Sequence, residues 1–173
     1  MRNIVLIGMP GVGKSTIGVI LAKELGYQFL DSDLLIQQEE SRLLKDIIQE
    51  EGIDGFLDIE NRVNLSIDVS GTIIATGGSA VYGAPAMEHL REKAVTIYLK
   101  CSYEILSRRL RDLHGRGVVL REGQTLKDLY EERTPLYEKY ADLTIPEEDK
   151  GIEETLADIL DQLQSLNLSS ITR

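Results

Sequence analysis

The sequence predicts an α/β fold, a parallel sheet covered by helices on both faces, and three observations carry that prediction. Short β-branched runs alternate with longer stretches of helical period. A glycine-rich turn joins the first of these runs to the first helical stretch. The 173 residues are enough for one domain with a real core and too few for two ordinary ones.

NIVLI, residues 3–7, reads as the first strand, and a helix follows from Ser15 to Leu25. YQFL, 27–30, is the second strand, with helices over 34–50 and 54–69 after it. In the latter, Phe56, Ile59 and Val63 recur at the spacing of a core-facing helix. TIIAT, 72–76, is the third strand, then a helix near 86–92 and the strand VTIYL, 95–99.

A helical run continues to Leu113. His114 to Gln124 holds three glycines and two arginines with few core-quality residues, and reads as a long loop of the kind that forms lids. A helix from Thr125 to Tyr140, kinked or restarted near Pro135, leads to the strand DLTIP and a helix from Ile152 to Leu163. The polar tail 166–173 lacks a period and is expected to fray. One domain therefore spans 1–165.

Twenty-nine acidic against 19 basic side chains give a formal net charge of −10, which argues against nucleic-acid or anionic-membrane partners. The one cysteine, Cys101, cannot form an internal disulfide, and its place after AVTIYLK suggests buried packing. No window approaches the apolar length of a membrane span, so the expectation is a soluble, cytoplasmic monomer. His89 and His114 are too isolated to form a metal pair.

GMPGVGKS, Gly8 to Ser15, satisfies G-x-x-x-x-G-K-[ST] between a strand and a helix, so successive backbone amides and the helix N-terminus converge on one anion site. Gly11 and Gly13 let the backbone wrap phosphates, Lys14 reaches the β and γ groups, and the Ser15 hydroxyl suits Mg²⁺. The motif implies nucleotide binding without naming an acceptor.

At the end of the second strand, LDSD sets Asp31 and Asp33 where ligands bind in an open parallel sheet. One carboxylate can hold water around Mg²⁺ while the other orients or deprotonates an attacking hydroxyl. The plainer alternative is that Ser32 or Asp33 caps a helix beginning at Leu34. Gly77 and Gly78, after the third strand, can lay amides against a small substrate or simply turn the chain. Arg116 in the loop and Arg133 in RTPLYEKYAD are cations suited to phosphoryl and anion contacts, and taken singly each also suits a solvated surface.

Together, GMPGVGKST, LDSD, the F-x-x-x-E helix at 56–60, the double glycine, a lid arginine and ERTPLYEKYAD resemble the shikimate kinase family in order and spacing, from Arg2 to about Leu163. The resemblance implies a P-loop kinase of nucleoside-monophosphate-kinase type, with a five-stranded parallel sheet, a lid at about 112–124 and a substrate-binding subdomain at about 32–62. It implies ATP and Mg²⁺ as cofactors, a small hydroxyl compound as acceptor and a place in aromatic amino-acid biosynthesis.

Residue by residue, it makes Gly11, Val12, Gly13, Lys14, Ser15 and Thr16 the phosphate loop, with Ser15 and Asp31 at the metal. Asp33 matches the aspartate holding the shikimate hydroxyls, Gly78 a substrate-contacting glycine and Arg133 one of two carboxylate-binding arginines. Arg116 matches the lid arginine near the phosphates, and Arg109 falls where an arginine often lies beside the adenine.

The chain departs from the pattern at three points. The second carboxylate-binding arginine of F-R-x-x-E is Leu57 here, which removes a charge-assisted hydrogen bond worth roughly 1.5–3 kcal/mol. The family's triple glycine reads Gly77, Gly78, Ser79, and its R-P-L reads Arg116, Gly117, Val118. Three readings follow: a shikimate kinase in which another cation such as Arg62 replaces the missing arginine, a related kinase with a less anionic acceptor facing Leu57, or a silent nucleotide-binding protein. The joint presence of Lys14, Ser15, Asp33, Arg116 and Arg133 favours the kinases.

Overall fold

The computed structural model describes residues 2–111 and 120–166, leaving out the side chain of residue 111. Its strands are β1 (Asn3–Ile7), β2 (Gln28–Asp31), β3 (Thr72–Ala75), β4 (Ala94–Lys100) and β5 (Leu143–Pro146). Its helices are α1 (Lys14–Leu25), α2 (Ser32–Glu40), α3 (Leu44–Ser66), α4 (Ala84–Glu92), α5 (Tyr103–Arg111), α6 (Leu126–Tyr140) and α7 (Ile152–Ser165), with a 3₁₀ turn at Ala80–Tyr82. The five strands run parallel in the order β2-β3-β1-β4-β5.

Every residue of β1 and β3 is buried, as expected of central strands covered on both faces. Register sets the site: Leu6 and Asp31 both pair with Ala75, so β1, β2 and β3 end side by side. Thr76 reinforces that edge, donating from its amide (3.2 Å) and its hydroxyl (2.9 Å) to the Leu6 carbonyl. The turns after all three strands therefore open into one crevice, where the sheet order reverses around β1.

The main core lies between the sheet and its helices. A second, smaller core of Ile36, Ile47, Phe56 and Val63 joins α2 to α3, with Leu57 and Ile59 packed against it. Among the described residues no helix is long and apolar enough to cross a membrane. Cys101 is buried, and burial raises its thiol pKa.

Four expectations need correction. The helix expected over 34–50 is broken: α2 ends at Ser41 in a left-handed conformation (φ 53°), and Gln37 Oε1 accepts from the Leu44 amide to start α3. The one expected over 54–69 is continuous with the second half of that segment through a kink at Gly52 (φ 71°, ψ 179°), and stops at Ser66. Pro135 neither breaks nor restarts α6, because Leu129, Arg133, Tyr137 and Tyr140 are buried on both sides of it and hold the helix in place.

Lastly, Arg121 to Gln124 belong to a tight turn into α6: the Gln124 amide donates to the Arg121 carbonyl (3.0 Å), and Gln124 Oε1 accepts from the Arg121 amide (3.1 Å). Residues 112–119 of the expected lid and 167–173 of the expected tail lie outside the described residues.

Candidate active site

Gly13 precedes α1 in the left-handed region (φ 95°), and no side chain caps the helix, so its first amides are left for a ligand. Gly11 is also left-handed (φ 86°), and together they curl the loop back over β1. Lys14 is buried and donates to the carbonyls of Gly8 (2.7 Å) and Met9 (2.9 Å), which stretches its side chain along the loop. Burial lowers its pKa to about 8, against the opposing pull of the Asp33 charge.

The two aspartates divide their work as their positions require. Asp31 is the N-cap of α2, its Oδ1 accepting from the amides of Asp33 (3.0 Å) and Leu34 (3.3 Å), so α2 begins two residues earlier than expected and Asp31 does the capping. Its other oxygen accepts from Ser15 Oγ at 2.7 Å. This pairs a hydroxyl with a carboxylate beside the phosphate loop, an all-oxygen set that suits a hard divalent cation.

Asp33, in the first turn of α2, faces Gly77 instead. A Cβ placed on Gly77 would lie 2.7 Å from Asp33 Oδ1 and 2.7 Å from Glu60 Oε1, so glycine is needed for both carboxylates to approach this backbone. Burial, then the Asp31 charge, raises Asp33 to about 6 despite Lys14. Burial raises Glu60 to about 7, with Ser79 opposing that rise.

Gly78 is hemmed in similarly, with Pro10 on one side and Arg133 Nη1 on the other, 3.0 Å from where a Cβ would stand. Tyr137 Oη donates to the Gly78 carbonyl at 2.6 Å and stacks on Tyr98 at 5.1 Å between centroids, tying the double glycine to α6. Arg133 is 3% exposed, donates from Nε to Tyr82 Oη (3.3 Å) and lies over the Tyr82 ring at 5.2 Å.

Two clefts meet this centre. One, of ≈ 220 Å³, runs beside Gly11 to Gly13 and Thr16 and is bordered by Arg109, whose Nη1 is 3.4 Å from Glu147 Oε2. The other is lined by Leu57, Tyr82, Arg121 and Arg133. Leu57 thus shares a wall with Arg133. Arg62 does not line that cleft: it is turned onto Glu39 (3.4 Å) and Glu40, which corrects its candidacy as the replacement cation.

Lys14, Ser15, Asp31, Asp33, Gly77, Gly78 and Arg133 come together at the strand ends, Arg109 borders the first cleft and Leu57 the second, while Arg116 lies outside the described residues. Glu60, Tyr82 and Tyr137 also lie here; the sequence named Glu60 only as the end of the F-x-x-x-E pattern and gave none of the three a role in the site. Glu60 had a signal: it sits between Phe56 and Val63 on a helix face that buries all three, and a carboxylate there requires a reason.

The protein-family model for shikimate kinase matches residues 10–164. A shikimate kinase of Haemophilus influenzae is 34% identical over 170 residues, covering 96% of this chain and 94% of its own. Among solved structures, shikimate kinase from Acinetobacter baumannii in complex with shikimate superposes with a TM-score of 0.86 at 33% identity, over 97% of this chain and 96% of the other. The Aquifex aeolicus shikimate kinase gives 0.83 at 29% identity, over 96% and 98%.

Proposed function

Because this chain belongs to the shikimate kinase family, we propose that it transfers the γ-phosphoryl group of ATP to the 3-hydroxyl of shikimate, using the crevice between the phosphate loop and Gly77–Gly78. It is a phosphotransferase with an alcohol group as acceptor, and it uses ATP with a divalent metal, as the family does. The observation that carries the residue assignments is that Asp33 closes on Gly77 and Pro10 of the phosphate loop on Gly78, with the Asp33 charge acting on Lys14.

In this mechanism the amides of Gly11 to Thr16 and the Lys14 ammonium receive the β and γ phosphates. Mg²⁺, held by Ser15 with Asp31 as a supporting acceptor, would neutralise charge on those phosphates. Asp33, ionised above about pH 6, holds the acceptor hydroxyl and takes up its proton as the oxygen bonds to phosphorus and the bond to the ADP oxygen breaks. Arg133, locked by Tyr82, fixes the acceptor's carboxylate, and Leu57 packs against its ring. Arg109 flanks the nucleotide.

ADP release measured against shikimate and against a panel of hydroxy acids and polyols tests the acceptor. Saturation by shikimate at sub-millimolar concentration supports the proposal, and selective turnover of an uncharged polyol removes it.

A further inference from the structure

A bound carboxylate offers about four acceptor positions, and one arginine fork uses two of them. In the acceptor cleft Arg133 is such a fork, and Leu57 stands where sequence comparison leads one to expect the other. The same cleft carries a second guanidinium. Arg121 lines it from the turn before α6.

That turn is well braced. Gln124 closes it in both directions with Arg121, and Gln124 Nε2 reaches Glu132 Oε2 on α6 at 3.4 Å. Thr125 then caps α6, with Asp128 Oδ2 accepting in return from the Thr125 amide at 2.9 Å. The turn that carries Arg121 is thus anchored to the helix that carries Arg133. Glu132, the acidic neighbour in the cleft, is engaged by Tyr82 Oη as well as by Gln124.

The Arg121 guanidinium already holds a carboxylate. Nη2 lies 2.6 Å from Oδ1 of Asp54, which is three residues before Leu57 and therefore on the same face of α3. Both partners are exposed, Arg121 at 54% and Asp54 at 80%, so the pair is weak and readily exchanged. A carboxylate arriving in the cleft beside Arg133 meets two guanidiniums in a less hydrated setting than Asp54 does.

We propose that Arg121 is the second carboxylate-binding arginine of the acceptor site, replacing from the α6 side the cation that Leu57 removes from α3, and that Asp54 holds its guanidinium until the acceptor displaces it. The inference rests on shikimate, or a closely similar hydroxy acid, being the acceptor.

The test is steady-state kinetics of Arg121→Ala with shikimate and with its uncharged methyl ester, each variant first checked for folding by circular dichroism. Arg121→Ala raises KM for shikimate on the order of ten- to a hundredfold, with kcat and KM for ATP little changed, while KM for the ester barely moves. Arg121→Lys, which keeps the charge without the fork, falls between. Asp54→Ala lowers KM for shikimate by removing the competing carboxylate.

Equal effects on acid and ester, no effect on either, or a shikimate KM that does not fall in Asp54→Ala overturns the assignment of Arg121. Absence of shikimate turnover by the unsubstituted enzyme is a separate result: it overturns the function on which the inference rests, and the inference with it.

Discussion

Ser79 Oγ donates a 2.6 Å hydrogen bond to Oε2 of Glu60. Both residues are buried, and among the described residues Glu60 Oε1 has no hydrogen-bond partner. The Ser79 hydroxyl therefore has a physical role: it partly satisfies a buried carboxylate.

Glu60 gives a stability prediction with a definite sign. Its pKa rises from the usual 4.5 to about 7, so the protonated acid is the form that favours folding. That contribution is complete below 4.5 and is lost as pH rises through about 7. Glu60→Gln keeps an acceptor for Ser79 and removes the buried charge. Thermal melting should show it more stable than the parent by about 2 kcal/mol near pH 8 and close to it near pH 4.

Asp33→Asn should bind ATP normally and lose phosphoryl transfer, measured by nucleotide titration alongside turnover. In the parent enzyme, kcat/KM for the acceptor should fall as pH drops through about 6, where Asp33 gains a proton. Unchanged turnover in Asp33→Asn would remove Asp33 from the mechanism.

Lys14→Ala should cost on the order of 10²–10³ in kcat through lost stabilisation of the transferring group. Because burial brings Lys14 down to about 8, the free enzyme loses this charge as pH rises through that value, and KM for ATP should rise with it. Near-native turnover in Lys14→Ala would show that the phosphate loop is misassigned.

Tyr137→Phe keeps the stack on Tyr98 and removes the donor to the Gly78 carbonyl. A lost hydrogen bond of about 1 kcal/mol predicts a rise of roughly fivefold in acceptor KM, with KM for ATP unchanged. Equal rises in both would place Tyr137 in general folding rather than in the acceptor site.

Much of this site was legible because its residues sit at strand ends, where a short motif fixes both residue type and position. The phosphate loop, Asp31, Asp33, Gly77 and Gly78 all follow strands whose buried registers bring them together. What escaped depends on side-chain direction. Arg62 is next to the cleft in sequence, yet its side chain goes to Glu39 and Glu40, whereas Arg121 is remote in sequence and reaches the cleft through a turn closed by Gln124. The α2–α3 boundary was missed because an apolar period runs through residues 34–50, while Ser41 adopts a left-handed conformation that period cannot reveal. Pro135 misled in the opposite sense, since burial on both sides of it outweighs its local preference.

The central claim is that one crevice joins the phosphate loop to a carboxylate-reading acceptor site, and ADP release with and without shikimate tests it most directly. The account predicts little release from MgATP alone and saturable release on adding shikimate, with one phosphorylated acceptor formed per ADP. ADP release that is indifferent to shikimate, or that responds only to an uncharged polyol, would contradict it.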